Sequence, residues 1–134
     1  MKKGLVLISC SHSKEQGGDS EYKEHFLSNH ISEKTYSKLI KTRKIVFDLI
    51  RSGCLRDIEH EEGDRGIRKE NKSLINGPDF GGKDNSPVYL PAKKRYIGRF
   101  YVELDDSDWE NLQKNGYICL ILSGLYGFIT PEDT

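Results

Sequence analysis

The order of apolar and polar positions divides the chain into a few segments. Residues 4–10, GLVLISC, form an unbroken apolar run with no alternation. A short run of this kind, followed by polar residues, predicts a strand covered on both faces of a parallel sheet. YICLILSG, 117–124, reads the same way. Between them, SEKTYSKLIKTRKIVFDLIRSG is the clearest helix. There Tyr36, Leu39, Ile40, Val46, Phe47 and Ile50 recur at helical spacing and form one buried face. Ser32 can cap its start, and Gly53 stands just past its end. Residues 11–31 are polar, with Tyr22, Phe26, Leu27 and His30 along one side of a short helix.

The second half begins with a change of character. Residues 56–88 are charged, glycine-rich and nearly aperiodic, which predicts a long loop or insertion, either disordered or ordered only by a partner. A short strand or helix near Leu74 and Ile75 is the one interruption. Pro91 then opens a helix in which Ala92, Tyr96 and Phe100 repeat every four residues, with Tyr96 and Phe100 facing inward. Gly98 breaks that pattern, so a short helix, a kink and a second piece are expected. DDSDWENLQKNG is a second good helix, with Trp109 and Leu112 on one side. Asp105, Asp106 and Asp108 could form an acid–base pair, but their place before Trp109 favours helix capping.

The order strand, helices, strand predicts a single α/β domain over 1–134, with a small, mostly parallel sheet covered by helices. Two strands are too few for a covered sheet. Either more strands lie in the middle, or the chain is the N-terminal part of a longer protein. A length of 134 residues suits one domain and one core. Lys plus Arg (21) equals Asp plus Glu (21), so net charge points to no polyanionic partner. The three cysteines, Cys10, Cys54 and Cys119, are odd in number and widely spaced, which argues against a disulfide framework or a structural zinc site. No signal-peptide pattern and no run of about 20 apolar residues occurs, so a cytoplasmic setting is expected.

Candidate chemistry gathers at the two strand exits. The first leaves through Ser9, Cys10 and Ser11 and reaches Lys14. The second leaves through Ser123 and Gly124, followed by Tyr126 and Gly127. Ligands of open parallel sheets bind beyond the carboxyl ends of the strands. If these strands are parallel neighbours, hydroxyls, backbone N–H groups and one ammonium converge on a volume suited to an anion or a polar ring. The alternative is ordinary turn chemistry, since serine and glycine commonly follow strands. Cys10 could be a thiolate favoured by Lys14, but a buried strand-end cysteine is the better reading. A Cys10–His12 metal pair with His25 or His30 lacks a second tight pair, and His60 sits in an acidic loop. No cofactor and no metal is expected.

Three segments, LISCSHSK, LPAKKRYIGRFY and ILSGLYGFITPED, resemble the ordered motifs of the YaaA family of peroxide-stress proteins. They cover about a quarter of the chain, and the segment from Gln16 to Val88 has no counterpart. The resemblance implies a compact α/β protein linked to oxidative stress that binds nucleic acid. It implies a site made of Ser9, Cys10, Ser11, Lys14, Tyr96, Gly98, Tyr101, Ser123, Gly124, Tyr126, Gly127, Pro131 and Asp133. It brings no established reaction.

Two basic groups could track phosphates: Lys34, Lys38, Lys41 and Lys44 on one helix face, and Lys93, Lys94, Arg95 and Arg99 among tyrosines. The competing reading is a solvated face, because nearby acidic runs cancel the field. Three functions follow: a YaaA-like protein binding nucleic acid or a nucleotide; an enzyme acting on a nucleotide or nucleobase, with Ser11, Lys14 or Asp133 as catalytic candidates; or a non-enzymatic interaction module.

Overall fold

A computed structural model describes residues 4–11, 13–15, 17–24, 26–52 and 89–134. Its elements are β1 (Gly4–Ser9), α1 (Phe26–His30), α2 (Glu33–Ser52), α3 (Ala92–Arg95), α4 (Arg99–Val102), α5 (Asp106–Lys114), β2 (Tyr117–Ser123) and β3 (Gly127–Ile129). The Gly53 stop, the 56–88 insertion, Cys54, His12, His25 and His60 lie outside the described residues. Among the described residues no helix is long and apolar enough to cross a membrane.

The sheet has the order β1-β2-β3. β1 and β2 are parallel, in register from Gly4 opposite Tyr117 to Ser9 opposite Leu122. β3 returns antiparallel to β2, with Leu122 opposite Phe128 and Ser123 opposite Gly127. The domain is thus a small α/β fold with a mixed sheet. After Ser123 a tight turn over 124–126 leads into a third strand that the sequence pattern did not predict. Gly127 follows that turn at φ +78°, a conformation that disfavours side chains.

Local chemistry explains the helices. Ser32 Oγ accepts the Thr35 N–H at 3.2 Å and starts α2 as predicted. The predicted kink holds too: α3 ends before Tyr96, and α4 restarts after Gly98. α5 begins with a capping box. Asp105 accepts N–H bonds from Ser107 and Asp108, and Asp108 accepts the Asp105 N–H in return. The Ser107 hydroxyl, followed by the Asp108 and Ser107 N–H groups, bonds the Asp105 carboxylate and holds its pKa below the usual aspartate range.

The core lies between the sheet and the helices after residue 91. It comprises Ala92, Tyr96, Tyr101, Trp109, Ile121 and Ile129, with Ile8, Cys10, Leu112, Cys119 and Tyr126 packed against it. Two expectations are corrected here. Phe100 is 52% exposed, whereas its neighbour Tyr101 is buried, because the kink at Gly98 resets which face of the segment points inward. The strands are not covered on both faces either. Leu5, Leu7 and Leu122 are each more than half exposed. An unbroken apolar run cannot distinguish a two-sided core strand from one with a single packed face, and β1 is the outermost strand of the described sheet.

The inward stripe of α2 differs as well. Phe47 is buried and Tyr36, Leu39 and Val46 half-buried, but Ile40 is exposed and Arg43 is buried. Ile121, fully buried at the centre of β2, is the packing keystone. Ile121→Ala should lower the unfolding free energy by about 2–5 kcal/mol and Ile121→Val by about 1 kcal/mol. Equilibrium urea unfolding measures both.

Candidate ligand site at the strand exits

The parallel register places the two strand exits side by side. The pairing continues one residue past β1, where the Cys10 N–H donates to Leu122 O at 3.0 Å. Beyond it, the first exit is fastened to the segment joining α3 and α4. Lys14 and Tyr96 form an antiparallel bridge. The Ile97 N–H donates to Ser13 O at 3.2 Å and the Glu15 N–H to Arg95 O at 2.7 Å. The Arg95 guanidinium donates to Glu15 O and, at 2.8 Å, to Gly17 O. Arg95 therefore serves as a strap across the exit loop.

Two tyrosines connect the exits. The Tyr101 hydroxyl donates to Ser9 O at 2.8 Å, at the end of β1. Tyr96 is buried beside the end of β2; burial raises its pKa, and Ser123 partly offsets that rise. Ser123 Oγ also accepts the N–H groups of Leu125 and Tyr126 at 3.3 and 3.2 Å. The Lys14 ammonium lies 5.8 Å from the centre of the Tyr96 ring. A continuous chain of contacts thus runs from Lys14 through Tyr96 and Ser123 to Tyr126.

Gly98 has a steric reason. A Cβ at this position would stand 2.3 Å from Ser11 Oγ and 3.1 Å from Ser11 Cβ. Only glycine lets the Y-x-G segment lie against the first exit. The ITPED stretch is equally structural. The buried Asp133 carboxylate accepts the Thr130 N–H at 2.8 Å, closing a turn. Pro131 O and Asp133 O accept the Lys93 and Ala92 N–H groups, which fixes the start of α3.

The remaining candidates divide. Lys93 is mostly buried and paired with Glu132 at 2.9 Å and Asp106 at 3.2 Å. Burial works against its charge, but the two carboxylates prevail and raise its pKa. Lys94 lies 3.9 Å from Asp106, and Arg99 is exposed. Lys34, Lys38, Lys41 and Lys44 are exposed along α2, where Lys44 pairs with Asp48. Tyr96 and Tyr101 are buried, so they present no open ring face for stacking. Cys10 and Cys119 are half-buried, and burial raises the Cys119 thiol to about 11.

One set of residues beside the site was missed: Glu24 and Arg43. The Glu24 and Arg43 side chains are 2% and 4% exposed and joined by two hydrogen bonds, of 2.5 and 2.9 Å. Arg43 also donates to Tyr126 O, and its guanidinium lies 5.0 Å from the Tyr126 ring centre. The hydroxyls of Tyr22 and Tyr36 donate to Glu24 at 2.6 and 3.2 Å. The available signal was Arg43 standing four residues before Phe47 on the apolar stripe of α2.

With that geometry in view, no protein-family model, curated protein or solved structure matches the chain.

Two outcomes are expected. Gly98→Ala should destabilise the fold by about 1–3 kcal/mol through overpacking, and Ser11→Gly in the same chain should restore most of the loss. A urea double-mutant cycle reads the coupling. The second concerns acid. Burial pushes the Glu24 pKa up, but the Arg43, Tyr22 and Tyr36 bonds prevail and lower it below the ordinary 4.5. Its contribution is therefore complete above that ordinary value and is lost as pH falls through its own lower one. Glu24→Gln should remove this part of the acid slope, seen by subtracting the two urea-midpoint profiles against pH.

Proposed function

We propose that this chain is a YaaA-like protein that binds a nucleotide at the joined strand exits, either free or at the end of a nucleic acid. The observation that supports this most is the parallel pairing of β1 and β2, which sets Ser9, Cys10 and Ser11 beside Ser123 and Gly124. Lys14 contributes a positive charge at that end of the sheet, and Gly98, which leaves no room for a Cβ beside Ser11, keeps the first exit tightly framed. Serine hydroxyls, backbone N–H groups and one ammonium match a phosphate; Tyr126 offers an aromatic ring beside them.

A short ligand fits better than a long strand of nucleic acid. Lys93 and Arg95 already serve internal partners, so the basic track along α3 is shortened. Asp133 and Ser11 are built into the frame, which favours holding a ligand over acid–base work by either residue.

Thermal unfolding with AMP and ATP tests the reading. A nucleotide at a hundredfold excess over its Kd should stabilise the chain by about 2.7 kcal/mol and raise Tm accordingly. Lys14→Ala should abolish the shift. No shift with either nucleotide sinks the small-ligand reading. Oligonucleotide binding that weakens steeply with salt, and depends on Lys34, Lys38, Lys41 and Lys44, would transfer the function to an extended phosphate track.

A further inference from the structure

Arg43 lies outside the strand exits but holds Tyr126 in two ways. Its guanidinium donates to the Tyr126 carbonyl and stacks at 5.0 Å from the centre of the same residue's ring. Phe47, one turn along α2, meets that ring at 6.2 Å between centroids. Backbone and side chain of Tyr126 are therefore both set by α2. Glu24 fixes the guanidinium through two bonds, and Tyr22 and Tyr36 fix Glu24.

Stability alone does not explain this arrangement. Burying an ion pair costs desolvation that its attraction roughly repays, and apolar replacements of similar volume often serve the fold as well. Here the pair carries a further cost: Arg43 Nε is buried with no hydrogen-bond partner. What an apolar pair cannot do is grip a carbonyl in a fixed direction. Lysine cannot do it either while stacking and bridging a carboxylate, because it lacks the planar fork.

We propose that Arg43 is a positioning residue of the strand-exit site, setting the Tyr126 ring and the 124–126 turn in the geometry that receives a ligand. This rests on the nucleotide reading above. The ligand meets Tyr126 and the exit serines; Arg43 acts through Tyr126.

The test uses the full chain in four forms: parent, Arg43→Lys, Glu24→Leu with Arg43→Met, and Tyr126→Phe. AMP and ATP are the probes. Each form is labelled with 3-fluorotyrosine, and Tyr126→Phe identifies the Tyr126 fluorine signal. The Leu/Met pair should keep a cooperative urea transition near the parent's midpoint, yet bind the responding nucleotide about tenfold or more weakly, as displaced contacts do. Its Tyr126 signal should move and broaden. Arg43→Lys should show the same signature more mildly, and it carries the test should the Leu/Met pair not fold. Parental affinity with an unmoved Tyr126 signal in a folded variant overturns the proposal. If the parent binds neither nucleotide, the nucleotide reading fails, and the fluorine signal alone decides: an unmoved line overturns the positioning role, a moved one upholds it.

Discussion

Two parallel strands cannot be joined by a tight turn. The chain must leave the sheet, cross over and return, and the rest of this structure depends on that constraint. Between Ser9 and Tyr117 the crossover supplies Tyr96, Gly98 and Tyr101 as well as the helices that cover the inner sheet face. Because the strands point the same way, both polar ends fall at one edge. A hairpin of the same two sequences would put Ser9 and Ser123 at opposite ends. The mixed character of the sheet comes afterwards, when β3 folds back and fixes the second exit as a turn instead of a loose loop.

Hydrogen bonds, rather than the cation–π contact, hold the exits together. The Lys14 ammonium at 5.8 Å from the Tyr96 ring is near the outer limit of such contacts and is worth well under about 1 kcal/mol at a partly exposed site. The Tyr101 hydroxyl bonds Ser9 O in a part-buried setting, and the Cys10 N–H bonds Leu122 O. Losing either would leave a buried polar group unpaired, at a cost of about 1–3 kcal/mol. Through the cation–π contact Lys14 is a weak structural pin. The tyrosines are the reverse: their rings and hydroxyls belong to the frame.

Much of this frame was legible in the sequence, for identifiable reasons. Apolar runs located β1 and β2, Ser32 and Asp105 marked helix starts, and Gly98 marked the break between α3 and α4. Those signals are local, set by backbone conformation and capping. The adjacency of the exits was legible only on the condition that the strands be parallel. β3 was not, since GFI is three residues long and carries no periodicity. Phe100 was misplaced because a four-residue repeat says nothing once a kink intervenes. Arg43 escaped for a deeper reason. A charge on an apolar stripe looks like a solvated edge until its partner is known, and nothing in the polar segment around Glu24 marks it as that partner. Burial of a charge depends on long-range pairing, which a single sequence does not display.

The bonds that build the site span great lengths of chain. Tyr101 reaches Ser9 across 92 positions, Arg43 reaches Tyr126 across 83, and Thr134 reaches Lys23 across 111. Local helices can form early, but contacts this distant bring a large loop-closure penalty before they yield any gain. During synthesis on the ribosome, α1 and α2 emerge long before β2, β3 and the closing turn. The buried arginine and its glutamate must then wait, solvated, for the tyrosine carbonyl that completes their enclosure. The β1–β2 pairing that sets the strand exits side by side therefore requires residues as far along the chain as 117–123.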